Sequence, residues 1–263
     1  MNTRFAGLAA AMVLLASSAT AQPDKPTIVL VHGAFADSSS WDAVVGILEK
    51  DGYDVVAAAN PLRSVKSDAR YVDDIVASIP SPVVLVGHSY GGSVISATAN
   101  DKGNVKALVY VSAFAPEAGE SAGELAGKFP GATLAQALAP PVPLSNGGKD
   151  LYIQQDKFHD QFAADVSQIE ARAMAAAQRP ITEAAINELS SAPAWKTLPS
   201  WFVFGDEDKN IPLQALNFMA DRAHSKQTVI VKGSSHVVMV SNPKAVAKLI
   251  ETAAASTATV ASN

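Results

Sequence analysis

The chain has 263 residues, 48% of them hydrophobic and 17% charged, enough to bury a large core in one globular domain that carries an insertion. A formal net charge of -5 without any arginine-rich run argues against nucleic acid and anionic membrane surfaces as partners. The absence of cysteine excludes disulfides and thiolate metal sites, so stability rests on the core alone.

Residues 1–21 read as a secretory leader. Arg4 precedes the short apolar run Phe5–Ala16, and Ala19-Thr20-Ala21 is a small-residue cleavage site. Cleavage after Ala21 leaves residues 22–263 as a secreted or periplasmic protein. The apolar run is too short to span a bilayer, and nothing later in the chain approaches the length needed. The first strand is predicted at Thr27-Ile28-Val29-Leu30-Val31-His32, a continuous apolar run of the kind buried on both faces. Asp37-Ser38-Ser39-Ser40 offers cap chemistry to a helix from Trp41 to about Lys50, which closes at Asp51-Gly52. A second strand is expected over Asp54–Ala58. A helix over Ser67–Ser78 carries Ala69, Val72, Ile75, Val76 and Ile79 on one stripe.

Val83-Val84-Leu85-Val86-Gly87-His88-Ser89-Tyr90-Gly91-Gly92 is the most informative stretch. A β-branched run ends in Gly-x-Ser-x-Gly and leads into helix-compatible sequence, which is the strand–turn–helix context of a nucleophile elbow. The glycines two positions either side of Ser89 are needed because a Cβ there would collide with a neighbouring strand or helix. Val105–Ser112 is the next strand. This βαβα rhythm predicts a parallel sheet of about six strands with helices on both faces. It pauses over about residues 116–199, which read as a mostly helical cap with helical stretches at Lys157–Gln178 and Thr182–Leu189 and no convincing strand. The rhythm resumes with strands at Trp201–Phe204 and Thr228–Lys232. A helix over Leu213–Ala223 lies between them, and another from Pro243 to about Ala254 closes the fold.

A serine needs a base within hydrogen-bond reach, and the base needs a group to orient it. Among the five histidines, His236 follows the last strand and is placed to reach the elbow. His88 is locked in the elbow strand as a packing residue. His32 is expected to hold its loop through side-chain hydrogen bonds, His159 sits in the cap, and His224 lies near a helix end. None forms a ligand pair, so no metal is expected. Gly205-Asp206-Glu207-Asp208-Lys209 supplies three acids. Asp208 is favoured over Asp206 because the third residue after the glycine has turned back toward the sheet edge. The oxyanion of a tetrahedral intermediate needs two backbone donors, for which the amides of Tyr90 and Ala34 are the candidates. Neither Gly-x-Gly-x-x-Gly nor Gly-x-x-x-x-Gly-Lys-Ser/Thr is present, so no cofactor is expected.

Taken together, Ile28–Ala34, Trp41, Val84–Gly92, Val111–Pro116, Asp206–Pro212 and Ser235–Pro243 resemble the α/β-hydrolase superfamily. Within it they resemble the branch of plant methylesterases, hydroxynitrile lyases and related bacterial esterases. The resemblance implies that Ser89 attacks a carbonyl, His236 relays its proton and Asp208 orients the histidine. It also implies a small cap that shapes an apolar pocket. Phe129, Leu134, Leu138, Pro140, Pro141, Val142, Phe158 and Phe162 are available for that wall. The expected partner is a small or medium carboxylic ester. A lyase on the same fold and a non-catalytic binder are the alternatives. Hydroxynitrile lyases of the branch are expected to carry a threonine after the first strand and a lysine beside the histidine, where this chain has Gly33-Ala34 and Val237.

Overall fold

A computed structural model describes residues 25–98 and 103–257. The leader expected over residues 1–21 lies outside the described residues. The chain begins with β1 (Thr27–Val31), α1 (Asp42–Lys50), β2 (Val55–Ala58), α2 (Val65–Ser78), β3 (Val83–His88), α3 (Tyr90–Ala97) and β4 (Val105–Val111). The middle holds α4 (Ala122–Gly127), α5 (Leu134–Ala137), β5 (Val142–Pro143), β6 (Lys149–Leu151), α6 (Gln155–Phe162), α7 (Gln168–Ala177), β7 (Ile181–Thr182) and α8 (Glu183–Asn187). The last part is β8 (Ser200–Gly205), α9 (Leu213–Arg222), β9 (Thr228–Val231), α10 (Val238–Ser241) and α11 (Pro243–Thr257).

Six strands form one sheet in the order β2-β1-β3-β4-β8-β9, and every neighbouring pair is parallel. The apolar runs explain why. Every residue of β1 and β3 is buried, and each buried Val, Leu or Ile is worth roughly 1.5–3 kcal/mol. Such strands are stable only when helices cover both faces. The connection through α1 leads outward from β1 to β2, whereas the connection through α2 returns past β1 to β3. Right-handed crossovers therefore put α1 and α2 on opposite faces. α1 packs on α11, which lies along β3, β4 and β8, while α2 packs on α3. The predicted stripe of α2 faces inward, with Ala69, Val72 and Val76 buried and Ile75 and Ile79 packed against the core. Because the strand order reverses between β1 and β3, a crevice opens there at the carboxyl edge.

The segment between β4 and β8 holds five short helices that cover less than half of it, so it is not mostly helical, and it also contains structure that the sequence did not announce. β5, β6 and β7 form a small antiparallel sheet, pairing Val142 with Asp150 and Asp150 with Thr182. The single helical stretch expected over Lys157–Gln178 is two helices. α6 stops as the Ala163 amide donates back to the His159 carbonyl, and Ser167 then caps α7 by accepting from the Glu170 amide at 3.2 Å.

Candidate active site

Four loops converge on the crevice. After β1 the chain turns through Gly33, Ala34 and Phe35, and after β3 it turns through Ser89. After β8 and β9 it runs through Asp208 and His236. Ser89 has φ 53° and ψ -123°, a conformation that a non-glycine residue holds only when its surroundings force it. Those surroundings are the two glycines. A Cβ on Gly87 would lie 2.6 Å from the Gly91 carbonyl oxygen, and one on Gly91 would lie 2.3 Å from the Val31 carbonyl oxygen. Only glycine lets α3 start this close to β1 and β3. The Ser89 carbonyl is held in turn by the amides of Gly92 at 2.9 Å and Phe114 at 3.1 Å.

His236 Nδ1–H donates to Asp208 Oδ2 at 2.7 Å, and the two side chains are 1% and 0% exposed. The other carboxylate oxygen of Asp208 accepts from the amides of Asn210 at 2.8 Å and Ile211 at 3.0 Å. Both oxygens are thus engaged, which fixes the carboxylate and, through it, the tautomer and plane of the imidazole. Asp206 is differently employed. Its Oδ1 accepts from the Gly233 amide at 2.6 Å, tying the loop after β8 to the loop after β9.

Ser89, His236, Ala34 and Tyr90 all line one narrow cavity of about 30 Å³. Phe35, Phe114, Ala126, Leu134, Phe162, Ile186, Asn210 and Ile211 complete its wall, so the cavity is apolar apart from Ser89, His236, Tyr90 and Asn210. Among the described residues, the amides of Ala34 and Tyr90 donate to no other group. The neighbouring Phe35 amide is occupied by the Arg179 carbonyl at 2.9 Å. A larger depression of about 350 Å³ lies beside Asp37, Asp42, Glu170 and Met174. It contains neither Ser89 nor His236.

The remaining histidines sort by environment. His88 Nε2–H donates to the His236 carbonyl at 3.1 Å, and its ring lies 4.8 Å from that of His236. Burial drives its pKa well below the ordinary histidine value, as does the neighbouring His236. His32 Nδ1–H donates to the Gly33 carbonyl at 2.9 Å, and burial lowers its pKa to about 4. His159 lies beside Asp160 on α6 and His224 follows α9, both away from the cavity.

The sequence placed His88 among packing residues and gave no sign that it supports the His236 loop, a contact across 148 positions. Of the apolar residues proposed for the cap wall, Leu134 and Phe162 line the cavity. Phe158 belongs to the core, and Val142 is exposed. The Phe162 ring stands 5.0 Å from that of His236. Beside it the Ser235 hydroxyl donates to Asp165, which follows α6, so the cap is fastened to the histidine loop itself.

A doubly wound parallel sheet, a strained serine at a strand–helix turn and a carboxylate-held histidine under a cap define a hydrolase of the α/β class. The chain belongs to the Alpha/beta hydrolase family, which matches residues 28–249. It is 25% identical over 242 residues to the alpha-hydroxynitrile lyase of Arabidopsis thaliana, covering 84% of this chain and 93% of that protein. It is 24% identical over 242 residues to methylesterase 8 of the same plant, covering 84% and 86%. Among solved structures, polyneuridine aldehyde esterase is similar with a TM-score of 0.74 at 19% identity, over 87% of this chain and 99% of that one.

Proposed function

We propose that this protein is a cofactor-independent serine esterase that cleaves small to medium carboxylic esters through an acyl-enzyme on Ser89, His236 and Asp208. The observation that carries the reading is the buried His236–Asp208 pair at 2.7 Å, opening on the same cavity as a serine strained out of its strand. With Nδ1–H committed to Asp208, Nε2 of His236 is left as the base. Ser89 Oγ attacks the ester carbonyl carbon while its proton passes to Nε2, and the alcohol leaves with that proton. Water then gives a proton to His236 and attacks the acyl carbon. Ser89 regains its proton as the acid departs. The amides of Ala34 and Tyr90 hold the oxyanion in both halves, a contribution worth about 10²–10³ in rate per donor in comparable sites.

The lyase relative keeps a second reading in view. Cleaving a cyanohydrin needs a positive group to receive departing cyanide, because the charge would otherwise form in an apolar cavity. Neither lysine nor arginine is among the residues lining this cavity, and the position after His236 is the buried Val237. Esters are therefore the favoured substrates. The test compares short p-nitrophenyl esters with mandelonitrile, on wild type and on Ser89→Ala. Ester turnover that vanishes in Ser89→Ala is expected. Ser89-dependent cyanide release exceeding ester turnover would favour the lyase, and no serine-dependent turnover of either would favour a binder.

A further inference from the structure

Asn210 is 4% exposed and lines the cavity beside Ser89 and His236, yet its Nδ2 finds no hydrogen-bond partner. Its orientation is fixed from behind. Gln161 Nε2 donates to the Lys209 carbonyl at 3.0 Å, and a carbonyl only accepts, so that end of Gln161 must be the amide nitrogen. The same nitrogen donates to Asn210 Oδ1 at 3.0 Å, while Gln161 Oε1 accepts from the Thr133 hydroxyl at 2.9 Å. Turning Asn210 over would oppose two donors. The Asn210 backbone is fixed as well, its amide donating to Asp208 at 2.8 Å. A buried donor held without an acceptor is costly and calls for a reason. Asn210 stands in the wall of a cavity whose other polar side chains are those of Ser89, His236 and Tyr90, the last with its hydroxyl bound to Asp68 at 3.0 Å.

We infer that Asn210 determines specificity. Its Nδ2–H donates to an oxygen in one of the two chains of the ester, beyond the scissile group, and selects oxygen-bearing esters over plain alkyl esters of the same shape. This rests on the esterase reading above and names its substrate class more closely. An ether or oxo oxygen meets the donor, whereas a methylene in its place leaves the donor buried and unpaired.

The experiment uses isosteric pairs in which one methylene becomes oxygen. These are p-nitrophenyl methoxyacetate with butyrate, p-nitrophenyl 3-methoxypropanoate with pentanoate, and 2-methoxyethyl acetate with butyl acetate. For each pair the ratio of kcat/KM is divided by the ratio of alkaline hydrolysis rates, which removes intrinsic reactivity. Because both substrates meet the same sample, the ratio does not depend on how much of a variant is folded. In at least one pair the wild type is expected to favour the oxygen-bearing ester about three- to tenfold, and Asn210→Leu and Asn210→Ala should bring that ratio to about one. A corrected ratio of one in every wild-type pair, or a preference that survives both substitutions, overturns the inference while Ser89-dependent turnover leaves the esterase reading standing. If both variants are inactive, the wild-type ratio alone decides, at the same thresholds. Absence of Ser89-dependent turnover on every ester overturns both.

Discussion

At the scale of single residues, the site depends on how two neighbouring carboxylates are used. Asp208 has no exposed side-chain surface and holds His236, whereas Asp206 holds a backbone amide between two loops. Asp208→Asn keeps the shape but offers an amide where the imidazole N–H needs an acceptor. kcat should fall by about 10⁴, as when a triad aspartate is lost elsewhere. Asp206→Asn should cost about 1 kcal/mol of stability or less and leave kcat within about threefold, since its oxygen can still accept from Gly233. Steady-state rates on one ester check both, and the reverse ranking would show that Asp206 is the working acid. That Asp208, and not Asp206, meets His236 was legible from position in the turn. The Asn210 donor was not, because its significance lies in Gln161, 49 positions away on α6, which fixes which end of the amide is free.

At the scale of elements, the legible parts are those whose pattern is local. Strands buried on both faces read as apolar runs, and the Gly-x-Ser-x-Gly turn states its own geometry. β5, β6 and β7 are two or three residues long, one ends in Pro143, and their pairing joins distant positions, so no alternation announces them. The break between α6 and α7 did leave a trace, Ser167 three residues ahead of Glu170, a start signal inside a stretch that otherwise reads as one helix. The elbow yields a sharp expectation. In Gly91→Ala the new methyl would stand 2.3 Å from the Val31 carbonyl oxygen, which is backbone of a central strand and has nowhere to go. Loss of several kcal/mol of stability or displacement of α3 should follow, together with ester activity. Gly46→Ala on exposed α1, where a Cβ meets nothing within 4 Å, is the control. It should melt at or slightly above the wild-type temperature by calorimetry. Equal melting and equal activity in the two variants would show that the approach of α3 to β1 does not matter.

At the scale of the whole molecule, the buried histidines make stability depend on pH. Between pH 6.5 and about 4 the unfolded chain's imidazole binds a proton that folded His32 refuses. Stability from this source is therefore complete above pH 6.5 and falls as the pH falls through that window, by about 3 kcal/mol in all. His88 acts in the same direction. The buried carboxyl of Asp68, raised by desolvation, acts the opposite way. His32→Asn removes the titration while keeping a donor for the Gly33 carbonyl. Denaturant midpoints at pH 7 and pH 4.5 should show the variant losing roughly 2 kcal/mol less than wild type over this interval, and identical losses would mean that His32 takes up its proton as readily folded as unfolded.

The size of the cavity has a consequence for the order of events in each turnover. About 30 Å³ has room for roughly one or two water molecules, far less than an acyl group and an alcohol together. On the esterase reading the cavity must therefore widen to take a substrate and stay widened through acylation, because the tetrahedral intermediate still carries both parts. Leu134 and Phe162 are the wall that the segment between β4 and β8 contributes, and the widening is expected there. Asp165 fastens that same region to Ser235, the residue before His236. On that reading, admitting the substrate and holding His236 are coupled through the Ser235–Asp165 contact. If that widening limits turnover, a viscous solvent should slow the best esters most, and equal slowing of good and poor esters would show that it does not.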